Sequence, residues 1–117
     1  MTHFDVFNGD ADGICALHQL RLARPRFATL VTGVKRDISL LRKVDNTAKS
    51  LTVLDISLDK NREDLVRLLK AGAEVDYFDH HYAGPIPTAA NLHAYIDVDT
   101  RQCTSLIVDR YLNGAHR

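Results

Sequence analysis

Apolar residues in this chain fall into short runs divided by polar, turn-forming stretches, and the spacing inside each run changes along the sequence. Residues 3–8 alternate loosely around Phe4, Val6 and Phe7 and predict a first strand, stopped by the turn-rich Asn8-Gly9-Asp10-Ala11-Asp12-Gly13. Ile14, Leu17 and Leu20 then recur at helical spacing, which predicts a helix over 13–23 with Pro25 beyond its end. A second strand is expected over 27–32, closed by Gly33, then a short helix holding Ile38, Leu41 and Val44 that Asp37 would cap. Leu51, Val53, Leu54 and Ile56 show no polar alternation, as expected if 50–56 is a strand buried on both faces. Leu65, Leu68 and Leu69 mark a helix over 60–71, with Asn61 as N-cap and Gly72 as its stop. Residues 73–78 read as the next strand, Gly84-Pro85-Ile86-Pro87 as a loop and 93–97 as a short strand. Cys103 or Thr104 starts a last helix containing Ile107, Val108 and Tyr111.

Strands alternating with helices through 117 residues predict one α/β domain, a mostly parallel, Rossmann-like β-sheet with helices on both faces. In that architecture ligands bind outside the carboxyl ends of the strands. The unusual polar residues fall there: Asp10 and Asp12 after the first strand, Asp55 ending the third, and Asp79-His80-His81 ending the fourth. Carboxylates gathered at one sheet edge repel one another unless a cation joins them, so a metal site is expected in preference to a solvated acidic edge. On an extended chain adjacent side chains point to opposite faces, and His80 and His81 are therefore expected to have separate tasks.

Mixed carboxylate and imidazole donors suit Mn²⁺, with Mg²⁺, Fe²⁺ or Zn²⁺ also admissible, and no thiolate spacing marks a structural zinc. Two cations about 3.5–4 Å apart need a bridging ligand; Asp55, at a central strand end, is the candidate. A nearby imidazole could protonate a leaving oxygen or hold a phosphate oxygen.

Composition narrows the classes. The apolar and charged fractions, 45% and 26%, are those of an ordinary globular domain, and formal net charge is zero, which gives no support to an extended grip on nucleic-acid phosphates. No apolar run approaches the roughly 20 residues of a membrane span, and Asp5, Asn8 and Asp10 interrupt the N-terminus as no signal peptide would. Cys15 and Cys103 form no CxxC pair and read as free, packing thiols of a cytoplasmic protein.

Taken in order, Asp10-Ala11-Asp12-Gly13, Val53-Leu54-Asp55 and Phe78-Asp79-His80-His81 resemble the first three motifs of the DHH phosphoesterase superfamily, over most of the chain. The resemblance implies a two-metal site, usually with Mn²⁺, that hydrolyses phosphodiester or phosphoanhydride bonds. Family members include single-strand exonucleases, oligonucleotide and cyclic-dinucleotide phosphodiesterases, and inorganic pyrophosphatases. Carried over, Asp10 and Asp12 would each ligate one ion, Asp55 would bridge both, and His80 would bind the second. His81 would face the scissile phosphate, with Asp79 orienting it. The implied partner is a small phosphorylated compound or short single-stranded oligonucleotide.

The chain departs from the family pattern in two places. Several branches have a ligand histidine where this chain has Val6, and the exonuclease-like branch has an acidic residue where it has Asn8, whose amide oxygen is a weaker ligand. His3 lies toward the far end of the strand. The family's fourth motif, another aspartate, and its C-terminal domain have no counterpart here, so the expectation is the N-terminal part of a longer enzyme. Asp97, Asp99 and Asp109 are the remaining carboxylates, with Asp109 assigned to a solvated helix face. Lys35 and Arg36 follow a strand end and could contact phosphate or sit in a solvated loop, and Thr104-Ser105 read first as a simple helix cap that could also offer hydroxyls and amides to an anion. His18, His93 and His116 read as surface or packing residues. Two other readings compete: a non-catalytic metal- or nucleotide-binding module, and, on Asp10-Ala11-Asp12-Gly13 alone, a haloacid-dehalogenase-type phosphatase, which needs no His pair.

Overall fold

The apolar runs form five strands, three α-helices and one 3-10 turn in a computed structural model that describes residues 3–26, 28–33, 39–98 and 103–112. In chain order these are β1 (His3–Asn8), α1 (Ala11–Ala23), β2 (Thr29–Gly33), the 3-10 turn Leu40–Lys43, β3 (Ser50–Leu54), α2 (Leu58–Lys70), β4 (Glu74–Asp79), β5 (Leu92–Ile96) and α3 (Thr104–Tyr111). The strands make one sheet in the order β2-β1-β3-β4-β5, and every pairing is parallel.

Side-chain alternation along the strands divides the core in two. Val6, Leu51, Val53, Val75 and Tyr77 face one way, under the 3-10 turn and α2, where they meet Leu40, Leu41, Val44, Leu58, Leu65 and Leu68. Phe7, Leu54 and Phe78 face the other way, beneath α1 and α3, with Ala16, Leu20, Ile107 and Val108. There Phe78 stacks on Tyr95 at 5.0 Å and meets Tyr111 edge-on at 5.1 Å. The doubly covered sheet predicted from the strand–helix rhythm is what the chain builds.

The second face is apolar only toward the carboxyl ends of the strands. Toward their beginnings it carries the aligned residues Asp5, Thr52 and Asp76. Arg21, in the last turn of α1, reaches down and binds both oxygens of Asp5, at 3.0 and 2.7 Å. His3 joins them through Nε2, 2.9 Å from Asp5, and Nδ1, 2.7 Å from the Ser50 hydroxyl. Burial alone raises the Asp5 carboxyl, and the bonds from His3 and Arg21 outweigh it and hold the group below its usual range. His3 is thus committed at the end of the sheet away from the predicted ligands.

Most boundaries fall within two residues of the pattern reading, and two of the differences have a clear physical cause. β3 stops at Leu54 because Asp55 takes a φ of +65°, and Ile56 turns into the core. The chain therefore enters α2 early: Ser57 is the N-cap, its side chain accepting the Lys60 N–H. Asn61 is buried one turn inside, where Oδ1 accepts the Leu41 N–H at 3.1 Å and Nδ2 donates to the Ser57 carbonyl at 2.8 Å. It ties the 3-10 turn to α2 instead of capping. Gly72 ends that helix at φ +95°, as expected of a C-terminal glycine. Asp37 lies outside the described residues.

Candidate metal centre

In the observed strand order, β2 lies on one side of β1 and β3 on the other, so successive connections leave in opposite directions and open a crevice between β1 and β3. Such switch points are where open α/β sheets bind ligands. The turn after β1 is tightly made. A Cβ on Gly13 would lie 2.2 Å from the Asn8 carbonyl oxygen, and one on Gly9 would lie 2.3 Å from that of Gly33. Glycine is needed at both for close backbone approach.

Asp10 caps α1, its Oδ1 accepting the Gly13 N–H at 2.9 Å. Asn8 is buried, and its amide oxygen accepts the Asp10 N–H at 3.2 Å, which fixes the turn. Asp12, in the first turn of α1, reaches the start of α3: Oδ2 accepts the Thr104 N–H at 2.9 Å and Oδ1 the Ser105 N–H at 3.0 Å. Burial raises its pKa, but these two amides, at the positive end of a helix, outweigh that and hold it below the usual carboxylate range.

Asp55 follows β3 directly and is 1% exposed. Its positive φ is costly for a residue with a Cβ, and strain of this kind collects at functional sites. The Thr104 hydroxyl donates to Oδ1 at 2.9 Å, and His80 Nε2 lies 3.1 Å from the same atom. His80 Nε2 is also 3.6 Å from Asp12 Oδ2. Burial pushes the Asp55 pKa up to about 8; the Thr104 bond opposes the rise, and the charges of Asp12 and Asp10 add to it.

The third motif completes the group. Asp79 ends β4 wholly buried, with Oδ1 2.6 Å from His81 Nδ1. That bond raises the His81 pKa against the opposing effect of burial. The other oxygen, Oδ2, is buried with no hydrogen-bond partner among the described residues, a cost that a cation or its bound water would remove. The rings of His80 and His81 lie side by side, centroids 4.3 Å apart. The expectation of opposite faces fails because β4 ends at Asp79 and the chain bends at His81. Their partners are nonetheless separate, since His80 turns to Asp55 and His81 to Asp79.

One ligand atom from each of Asp55, Asp79, His80 and His81 lies within 4.8 Å of the others. Asp10 and Asp12 stand outside this set, and approach it from the switch point. A cluster of carboxylate and imidazole donors with an orphaned buried oxygen fits a divalent cation of the Mn²⁺ or Mg²⁺ type.

Thr104 enters the site unforeseen in this role. Its helix start reads in the sequence as a simple cap or as a site for an outside anion, yet the groups it serves are the carboxyls of Asp12 and Asp55 of the chain itself; a hydroxyl and two amides opening a helix were the signal. Among the other residues singled out, Val6 is fully buried in the core and cannot ligate. Asp97 pairs with Arg110 at 3.2 Å. Asp109 is buried, not solvated, because Gln19 of α1 donates to it at 3.2 Å across the α1–α3 contact. Cys15 is an exposed free thiol instead of a packed one. Lys35, Arg36, Asp99 and His116 lie outside the described residues. Among those described, no helix is long and apolar enough to cross a membrane.

No family model matches the chain, and no curated protein does. Among solved structures, the crystal structure of exonuclease RecJ bound to manganese is similar, with a TM-score of 0.60 and 15% sequence identity. The alignment covers 98% of this chain and 34% of that one, so the chain spans about a third of the exonuclease's length. A likeness at that identity shows a shared fold.

Proposed function

We propose that the chain is a DHH-type, metal-dependent phosphoesterase domain that hydrolyses a phosphodiester or phosphoanhydride bond in a short oligonucleotide or small phosphorylated compound. The observation that carries the reading is the set Asp55, Asp79, His80 and His81, gathered at the carboxyl edge of a parallel sheet, with one buried Asp79 oxygen that has no partner among the described residues. The fold shared with a manganese-bound exonuclease supports it.

In this reading Asp10, Asp12, Asp55 and His80 hold two cations, Mn²⁺ in the first place and Mg²⁺ as the alternative. Bound cations would supply a water of lowered pKa and offset the charge that develops on an attacked phosphate. The protein's contribution is placement. The α3 amides orient Asp12, the Thr104 hydroxyl orients Asp55, and Asp79 fixes the ring of His81. With Nδ1 held by Asp79, His81 offers its Nε2 edge to the substrate, and its raised pKa keeps a proton available for the leaving oxygen. Asp79 is a positioning residue whose second oxygen is buried without a partner among the described residues.

A binding-only module is the second reading, favoured by one observation: Asp97 is engaged by Arg110 and does not join the cluster. Turnover separates the two. Mn²⁺ should raise the melting temperature of the wild type and not of Asp55→Ala. Mn²⁺-dependent release of nitrophenol from bis(p-nitrophenyl) phosphate should disappear in His80→Ala. An unchanged wild-type melting curve in millimolar Mn²⁺ would sink the phosphoesterase and the metal-binding module alike; a shift without turnover would leave the module.

A further inference from the structure

Three of the four tyrosines are packed. Tyr77 is buried with its hydroxyl on the Ile56 carbonyl at 2.7 Å, and Tyr95 and Tyr111 belong to the cluster around Phe78. Tyr82 is different: it is 72% exposed, and among the described residues its ring and hydroxyl make no hydrogen bond or ring contact. It follows His81 directly, roughly 3.8 Å away between Cα atoms.

The backbone beneath this ring is firmly held. The Ser57 hydroxyl donates to the Tyr82 carbonyl at 3.2 Å, and the Arg62 guanidinium donates to the carbonyls of Ala83 and Pro85. Ala83 is buried in the core under α2. Gly84 adopts a φ of +64°, and a Cβ there would lie 2.8 Å from Arg62 Nη2. Three carbonyls tied to α2 and its cap thus fix a segment that carries one bare aromatic ring. A lone exposed apolar residue carries no meaning, but a bare ring on a tied-down segment, directly after His81 of the candidate metal cluster, is a candidate to meet a substrate. It has only two side-chain torsions to immobilise on contact. Stacking also suits a chain of zero net charge, because it needs no phosphate grip.

We propose that Tyr82 is a stacking platform for a nucleobase beside the scissile phosphate, which makes the substrate a nucleotide ester and not an inorganic phosphoanhydride. This rests on the phosphoesterase reading for where the phosphate sits. The probes are the thymidine dinucleotide TpT and its abasic counterpart, both bases replaced by hydrogen, titrated calorimetrically in Mg²⁺ against wild type, Tyr82→Phe and Tyr82→Ala. Stacking worth about 1–3 kcal/mol per base predicts roughly 5- to 150-fold weaker TpT binding for Tyr82→Ala. Tyr82→Phe should keep the affinity, and the abasic probe should bind wild type and Tyr82→Ala alike. The proposal is overturned if Tyr82→Ala binds TpT as wild type does, if it loses both probes equally, or if wild type binds neither. The Mn²⁺-induced melting shift, unaffected by Tyr82→Ala, reports the cation cluster separately. Its absence from wild type, with TpT binding still dependent on Tyr82, would remove the phosphoesterase reading and leave the base platform standing.

Discussion

Asp55→Asn should stabilise the cation-free protein, and by an amount that grows with pH. In the unfolded chain this carboxyl titrates at its ordinary value of 3.8; in the fold, burial and the neighbouring Asp12 and Asp10 move it to about 8. Below 3.8 both states hold the proton and the substitution changes little. Between the two values the unfolded chain is ionised while the fold keeps its proton, so stability falls as pH rises, by about 1.4 kcal/mol per pH unit. At pH 6 the cost is on the order of 3 kcal/mol, and above pH 8 it levels near 6 kcal/mol. Asparagine removes the charge, tolerates the positive φ, and still presents an oxygen to the Thr104 hydroxyl. Since small domains have only about 5–15 kcal/mol in total, the effect is large enough to measure. Urea denaturation in EDTA at pH 5, 6, 7 and 8 should give a gap between variant and wild type that widens at each step. At pH 6 the variant's midpoint should be higher by roughly 1–3 M, using slopes of about 1–3 kcal/mol/M. Two stability profiles running parallel across that range would refute the reasoning.

At the opposite end of the sheet, Arg21→Met should cost about 3–5 kcal/mol, because Asp5 is left charged and buried. Asp5→Asn with Arg21→Met should recover most of that loss in the same denaturation assay. The Asp5 pKa is depressed in the fold, so its contribution is present above 3.8 and lost as pH falls through the lower folded value. Acid unfolding below pH 4 should therefore be less steep in Asp5→Asn than in wild type. Thr104→Val keeps the shape but removes the only hydroxyl bond described for Asp55; a further rise in the Asp55 pKa, read by carbonyl NMR titration, is the expected result. Leu68→Ala, at a fully buried position under the sheet, should lower stability by about 2–5 kcal/mol without changing the Mn²⁺-induced melting shift.

The sheet was legible because its strands carry plain signals: Leu51, Val53 and Leu54 make β3 mostly apolar, and β1 and β4 alternate polar with apolar positions until Phe7 and Phe78, at the same level, interrupt the pattern. The ligand candidates were legible because each stands at the carboxyl end of a strand. What pattern could not supply were contacts made across long stretches of chain. The place of Asn61 depends on Leu41, twenty residues earlier, and the burial of Asp109 depends on Gln19, ninety residues earlier. The side-by-side His80 and His81 were missed for a local reason: the rule of alternating faces ends where the strand ends, one residue before the pair.

The clasp between Asp12 and the first amides of α3 joins positions 92 and 93 residues apart. Contacts so distant in sequence close late in folding, after the loop entropy of nearly the whole chain has been overcome. While a ribosome is still making the chain, the first two motifs exist without Thr104, so Asp12 and Asp55 remain unoriented until α3 docks. If the cluster binds a cation as proposed, capture would be timed to the docking of α3, and a half-made chain would present only loose carboxylates to the metal pool.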